Sequence, residues 1–262
     1  MKVVESRYVV PGLERGLRIL QLFDRERRRL TGAEMARTLT IPRSTAFRLA
    51  HTLELFGFLE RDGDYYRIGP AVLRLGFESI ASLDLSELGQ PLVERLCKDT
   101  GLPSQLVIRD DREVVVVLKA SPPGALVSNV TVGTRFPAHA TILGRVLLSD
   151  VDDVTLNELY PEPTLPKVAP HTPRRLAELR RLLRQDRTRG YGVSESFFEH
   201  GISAVAAPVK GADGRIVAAI SVTAQRPTLE PEALRERLVT LVRRAAGELS
   251  HRLNYREPRE VA

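Results

Sequence analysis

The sequence predicts an α+β protein of two domains, and three observations predict it. Residues 31–56 set a short helix, a tight turn and a longer helix in succession, and Asp62-Gly63 between two aromatic-bearing runs then marks a β-hairpin. Together these make a winged helix-turn-helix. Beyond residue 101, strand-like apolar runs are interspersed with segments of helical periodicity, which predicts a sheet with helices packed on it. The length, 262 residues, suits about two domains. We place a winged helix-turn-helix domain at 1–75, a linker helix at 76–101 and a larger α+β domain at 102–262.

Leu13, Leu17, Leu20 and Phe23 share a face at helical spacing, behind the breaker Pro11-Gly12. The basic stretch 24–29 reads as the solvated end of this helix and a loop. Thr31-Gly32-Ala33-Glu34 is a capping box that opens a short helix over 33–39. Thr40-Ile41 makes the turn, and Pro42 opens the next helix, where a missing amide costs nothing. On that helix, Pro42–Phe56, one arc carries Ala46, Leu49, Ala50, Leu53 and Phe56 and should face a core. Ser44, Arg48 and His51 lie opposite, flanked by Phe47 and Thr52. In a helix-turn-helix the second helix enters the major groove, N-terminal residues at the base edges. The candidate DNA contacts are therefore Thr31, Arg43, Ser44, Thr45, Arg48 and His51, with Arg61 and Arg67 on the wing. Arg48 suits guanine, while Ser44 and Thr45 suit phosphate or either base type.

Composition sharpens this picture. Residues 1–80 hold 14 Lys and Arg against 10 Asp and Glu, so +4 of the overall +6 falls on less than a third of the chain. A basic segment on a near-neutral body suits a polyanionic partner. The longest uncharged apolar run, 216–224, is too short to span a bilayer as a helix, and charges in MKVVESRYVV leave no room for the apolar part of a signal peptide. The single cysteine, Cys97, cannot form an internal disulfide or a cysteine zinc cage, and no histidine pair has metal-ligand spacing. A cytoplasmic protein with no membrane partner, no metal and no cofactor is expected.

The run from Val10 to Gly76 resembles the N-terminal domain of the IclR family of bacterial transcriptional regulators. The resemblance continues through Val132-Gly133-Thr134-Arg135-Phe136-Pro137-Ala138-His139-Ala140-Thr141, Gly144-Arg145-Val146-Leu147-Leu148, Gly190-Tyr191 to Gly201, Ile202 to Val209, Asp213-Gly214-Arg215 and Val217 to Val222. It spans about residues 9–253. Gly-Thr-Arg-x-Pro-Ala and Gly-Arg-Val-Leu-Leu are closest to the branch that controls protocatechuate and p-hydroxybenzoate catabolism. The chain departs from that branch at Phe197–Gly201 and at His139-Ala140. The resemblance implies a GAF-like, antiparallel sheet in an effector-binding and oligomerisation domain at 102–262. It also implies double-stranded operator DNA and a small effector as partners, and a homodimer, with a tetramer built as a dimer of dimers left open.

Residues 76–101 are helical in pattern, with Pro91 near a start or a kink and Cys97 a small packed hydrophobe. Strands are expected over 104–108, 113–119, 125–130, 194–198, 204–210 and 215–223, and helices over 141–148, 174–189 and 231–253. Asp110-Asp111 reads as a turn, and the Arg-rich face of 174–189 as solvated. A regulator needs a ligand that favours one of two states. The polar residues that interrupt the apolar strands are the candidates: Asn129, Arg135, His139, Thr141, Ser194 and Ser203. Arg135 suits a bidentate carboxylate clamp, against a loop salt bridge, and Ser203 and Thr141 suit ring hydroxyls.

The expected function is a ligand-responsive DNA-binding regulator, its effector an aromatic or aliphatic carboxylic acid. The alternatives are a constitutive DNA binder whose second domain only oligomerises, and an enzyme acting on the acid. The enzyme reading lacks a nucleophile elbow, a P-loop or a dinucleotide fingerprint, so no catalysis is expected.

Overall fold

The computed structural model describes residues 8–24, 27–73, 85–123 and 130–256. Asn129, most of the strand expected over 125–130 and the first part of the expected linker helix lie outside the described residues. The chain divides into two compact units, 1–82 and 83–262.

The first unit runs α1 (Pro11–Gln21), β1 (Leu30–Thr31), α2 (Gly32–Thr38), α3 (Arg43–Leu55), β2 (Leu59–Asp62) and β3 (Tyr65–Ile68). Its antiparallel sheet has the order β1-β3-β2, with Leu30 opposite Tyr66 and Glu60 opposite Arg67. Ile19, Met35, Ala46, Ala50, Leu59 and Tyr66 form its core. The face expected for α1 is corrected: Gly16 and Ile19 are buried, whereas Leu13 and Leu17 are exposed. Phe56 is also corrected, since it is the C-cap of α3 and stands exposed. There the helix stops in a Schellman motif, in which Phe58 N donates to Leu53 O and Gly57 N to Glu54 O. Gly57 supplies the left-handed φ of +74° that this exit needs.

The second unit begins with α4 (Leu85–Thr100), which buries Leu92, Val93, Leu96 and Cys97 and holds Pro91 inside the helix. Next come β4 (Ser104–Asp110), β5 (Glu113–Ala120), β6 (Arg135–Pro137), a 3₁₀ turn (Ala138–Ala140), α5 (Ile142–Leu148), α6 (Asp153–Leu159), α7 (Leu176–Arg189), β7 (Gly192–Glu195), β8 (Ser203–Lys210), β9 (Ile216–Ala224) and α8 (Glu232–Arg252). The six strands form one antiparallel sheet in the order β6-β5-β4-β9-β8-β7. One face packs under α4 and α8 through Leu106, Val205, Val209, Ile220, Val222, Leu238, Val242 and Leu249. The other packs under α5 and α7 through Val107, Val114, Val116, Ala206, Ala219, Val146 and Leu179. Both faces are thus buried, which is why β8 and β9 read as near-continuous apolar runs.

No helix among the described residues is long and apolar enough to cross a membrane. No metal-binding group of His, Cys, Asp or Glu occurs among them either.

Candidate functional site

In the first unit, the capping box sets the start of α2. Glu34 N donates to Thr31 Oγ1 at 3.2 Å, and Thr31 N and Oγ1 donate to Glu34 Oε2 at 2.7 and 2.8 Å. These bonds hold the Glu34 carboxyl below the usual carboxylate range. Thr31 is therefore spent on the cap. Thr40 takes a left-handed φ of +53° in the turn, and Ile41 N closes it on Ala36 O at 2.9 Å.

With Ala46 and Ala50 buried, α3 turns Arg43, Ser44, Phe47, Arg48, His51 and Thr52 outward, and Thr45 sits half-buried beside them. Five of the sequence candidates thus come together on or beside one helical face. Neither Arg43 nor Arg48 enters an ion pair among the described residues. His51 Nδ1 lies 3.5 Å from Glu54, and its ring stacks on Phe47 at 6.2 Å. Phe47 is the feature that sequence reasoning left at the margin: an aromatic ring held outward amid polar neighbours. On the wing, Arg61 Nε donates to Gly63 O at 2.9 Å, and Arg67 pairs across the hairpin with Glu60 at 2.8 Å. Half-exposed pairs of this kind are weak and exchange readily for another anion.

In the second unit, strand register builds a polar row on the α5 side of the sheet. Lys119 stands opposite Gln105, Gln105 opposite Ser221, Ser221 opposite Ala206, and Ala206 opposite Gly192. Directly opposed residues share a face, so the row crosses five strands. Lys119 Nζ donates to Val130 O at 2.6 Å. Ser221 Oγ is fully buried and finds no hydrogen-bond partner among the described residues. A buried hydroxyl without a partner is costly, about 1–3 kcal/mol, and calls for a reason.

A roof covers this row. β6 and β7 are the two edges of the sheet, which in a flat six-stranded sheet would lie roughly 24 Å apart. Yet Phe136 on β6 meets Phe198, just past β7, edge to face at 5.8 Å. The chain after β7 must therefore cross the α5-side face. Arg145 on α5 lies 5.2 Å from the Phe197 ring and is fixed by a buried, two-bonded pair with Asp186, both bonds 2.8 Å. Burial pushes the Asp186 carboxyl up, and Arg145 pulls against it.

Thr141 and Ser194 belong to this layer. Thr141 Oγ1 caps α5 by accepting from Gly144 N at 3.1 Å. Ser194 is buried and stands opposite Ala204, one row beyond Gly192. Gly192 is required there, because a Cβ would sit 2.4 Å from Ile142 Cδ1. The 3₁₀ turn before α5 places His139, whose Nε2 lies 3.0 Å from Pro166 O and whose ring meets Tyr160 at 6.0 Å. Burial first, and the nearby Arg112 charge second, hold the imidazole below its usual range. Burial pushes the Tyr160 phenol up to about 12.

Two candidates are placed elsewhere. Arg135 sits at the edge strand, paired with Glu113 at 2.6 Å and with Asp110. Its fork is thus filled by a loop salt bridge. Ser203 opposes Ala224 and Glu195 on the other face of the sheet, and its Oγ donates to Arg226 O at 2.8 Å. Lys119, Gln105, Ser221 and the Phe136–Phe198 pair were not among the sequence candidates. A signal did exist: single polar residues at period-two positions of apolar strands.

Comparison with known proteins adds the following. Residues 77–251 match the family model described as bacterial transcriptional regulator IclR C-terminal, and residues 12–63 match the IclR helix-turn-helix domain. The chain is 32% identical over 256 residues to the p-hydroxybenzoate hydroxylase transcriptional activator of Acinetobacter baylyi, covering 94% of this chain and 93% of that one. It is 28% identical over 242 residues to the Pca regulon regulatory protein of Pseudomonas putida, covering 92% and 83%. Among solved structures, an IclR homolog from Microbacterium hydrocarbonoxydans complexed with 4-hydroxybenzoate superposes with a TM-score of 0.80 at 28% identity, covering 92% and 98%.

Proposed function

Because the chain belongs to the IclR family of bacterial transcriptional regulators, we propose that it reads operator DNA through α3 and the β2–β3 wing and responds to a small aromatic carboxylic acid bound on the α5-side face of its second sheet. The observation that carries the effector site is the buried, unpartnered Ser221 hydroxyl in one row with Gln105 and Lys119, under a roof of two phenylalanines. A flat ring fits between apolar floor and roof. The Lys119 ammonium takes the carboxylate, and Ser221, with Gln105 or Ser194, takes a ring hydroxyl. The likeness to a homologue bound to 4-hydroxybenzoate supports the same reading.

On DNA, Arg48 pairs with guanine, Phe47 packs on a thymine methyl, and Arg43, Ser44, Arg61 and Arg67 hold phosphates. Leu13 and Leu17 on α1, with Val10, form an exposed apolar row that a second copy covers. A homodimer then sets two α3 helices on a pseudopalindromic operator. The protein acts in the cytoplasm and performs no catalysis on its effector.

The test is fluorescence anisotropy on DNA from upstream of its own and neighbouring genes, at two salt concentrations, with 4-hydroxybenzoate, protocatechuate and aliphatic acids as separate additions. A shift of specific affinity by an aromatic acid alone is expected. Specific binding that no acid alters would favour a constitutive regulator, and turnover of the acid would favour an enzyme.

A further inference from the structure

A second cavity, of about 480 Å³, opens in the same unit at the far end of β8 and β9, between the end of α7 and the last turns of α8. It is separate from the proposed effector site. Lys210 and Ile216, which pair at this end, lie four and five residues along their strands from Ala206 and Ser221, roughly 14–17 Å at 3.4 Å per residue. Its volume is in the usual range for small-molecule sites.

Arg187, Lys210 and Arg243 line this cavity, and none of them pairs with a carboxylate among the described residues. Lys210 and Arg243 are held by tyrosine rings instead. Lys210 Nζ lies 5.0 Å from the Tyr255 ring centre, and Arg243 Cζ lies 5.9 Å from that of Tyr191. A ring face orients a cation without cancelling its charge. Two carboxylates share the lining. That of Asp186 is neutralised by Arg145, and that of Asp150 accepts the Ile216 amide at 2.7 Å. Three cations against one uncompensated carboxylate leave an excess of two positive charges, in a space that Val146, Ala207 and Pro208 line together with Ser149, Ser250 and His251.

We propose that this cavity is a second ligand site, taking a small metabolite with two negative charges, a phosphate monoester or a dicarboxylate, on Lys210 and Arg243 with Arg187 at the rim. Such a ligand matches the excess charge and makes charge-assisted hydrogen bonds to all three groups. The protein would then answer to two chemically distinct small molecules.

Calorimetric titration of the full chain at fixed ionic strength tests this, with phenyl phosphate and succinate as separate probes. At least one probe should bind saturably at one site per chain, and which one does so distinguishes phosphoryl from carboxylate ligands. Lys210→Ala and Arg243→Ala should each weaken binding at least about tenfold, whereas Arg244→Ala, on the same helix but outside the cavity, should leave it unchanged. Binding should persist with saturating 4-hydroxybenzoate and in Lys119→Met, so a failed effector reading would not undo it. No saturable binding of either probe, equal losses in Arg243→Ala and Arg244→Ala, or displacement by 4-hydroxybenzoate would overturn the proposal.

Discussion

The two units spend their polar side chains in opposite ways. The first holds Arg43, Ser44, Arg48 and His51 outward on one helix, where a partner must come to them. The second draws Thr141, Ser194 and Ser221 inside, onto one face of a sheet that helices cover. A helix that reads a polyanion gathers its functional residues within one stretch of sequence. A site on a sheet gathers them by register, from strands far apart in the chain. The first arrangement costs little stability because the charges stay in water. The second carries the cost of buried polar groups, and the unpartnered Ser221 hydroxyl is where that cost goes uncompensated.

Four substitutions test this contrast, in descending order of effect. Asp186→Ala strands the Arg145 guanidinium, 6% exposed, without its partner. It should cost about 3–5 kcal/mol in denaturant unfolding of the second unit, and a loss below about 1 kcal/mol would mean that the pair does not anchor α5. Gly144→Ala comes next. A Cβ there would sit 2.0 Å from Ala138 O, so the 3₁₀ turn must move; about 1–3 kcal/mol of overpacking is expected, together with weaker response to the effector. Arg48→Ala should leave stability nearly unchanged and weaken specific operator binding by about 1–3 kcal/mol. Equal operator affinity of mutant and parent would remove Arg48 from the readout. Thr31→Ala removes a cap rather than a contact and should cost about 1 kcal/mol of stability, with DNA binding per folded molecule barely altered.

The smallest effect is a pH dependence confined to the second unit. His139 is held below its ordinary value of 6.5, so as pH falls the unfolded chain takes up the proton before the folded one does. Stability from this group is therefore intact above about 6.5 and declines as pH drops through that value toward the lower folded pKa. His139→Gln should flatten the profile, and an equally steep decline in that variant would place the titrating group elsewhere.

The same contrast explains what was legible in the sequence. Contiguous chemistry was readable: the Thr31–Glu34 box, the α3 face and the Asp-Gly hairpin all depend on spacing within a few residues. The errors in that unit arose where tertiary packing chose between faces. On α1 the face of Ile19 packed inward and left Leu13 and Leu17 outward, and the Schellman exit carried Phe56 off its arc. In the second unit β4, β5, β8 and β9 read correctly as apolar runs, whereas the strand expected over 194–198 is β7 at Gly192–Glu195, and β6 and α6 were not read, being three and seven residues long. The face of a residue depended on details no local pattern carries. A register shift opposite Leu106 and Val107 leaves Val117 as an extra residue, which swaps faces within β5 and puts Lys119 on the same layer as Val116 and Ser221. Ser203 and Ser221 look alike in sequence, each a single serine beside an apolar run, yet they point to opposite sides of the sheet. Arg135 looked like a clamp because Asp110 and Glu113, its partners, lie more than twenty residues away.

That pair of serines offers the most direct test. Both are fully buried; Ser203 faces the α8 layer and is satisfied by Arg226 O, whereas Ser221 faces the α5 layer and is not. The measurement is calorimetric binding of 4-hydroxybenzoate to the parent, Ser221→Ala and Ser203→Ala. We expect Ser221→Ala to lose about tenfold in affinity, the worth of one buried hydrogen bond, and Ser203→Ala to bind like the parent. Unchanged binding in Ser221→Ala, or a larger loss in Ser203→Ala, would contradict a site on the α5-side face.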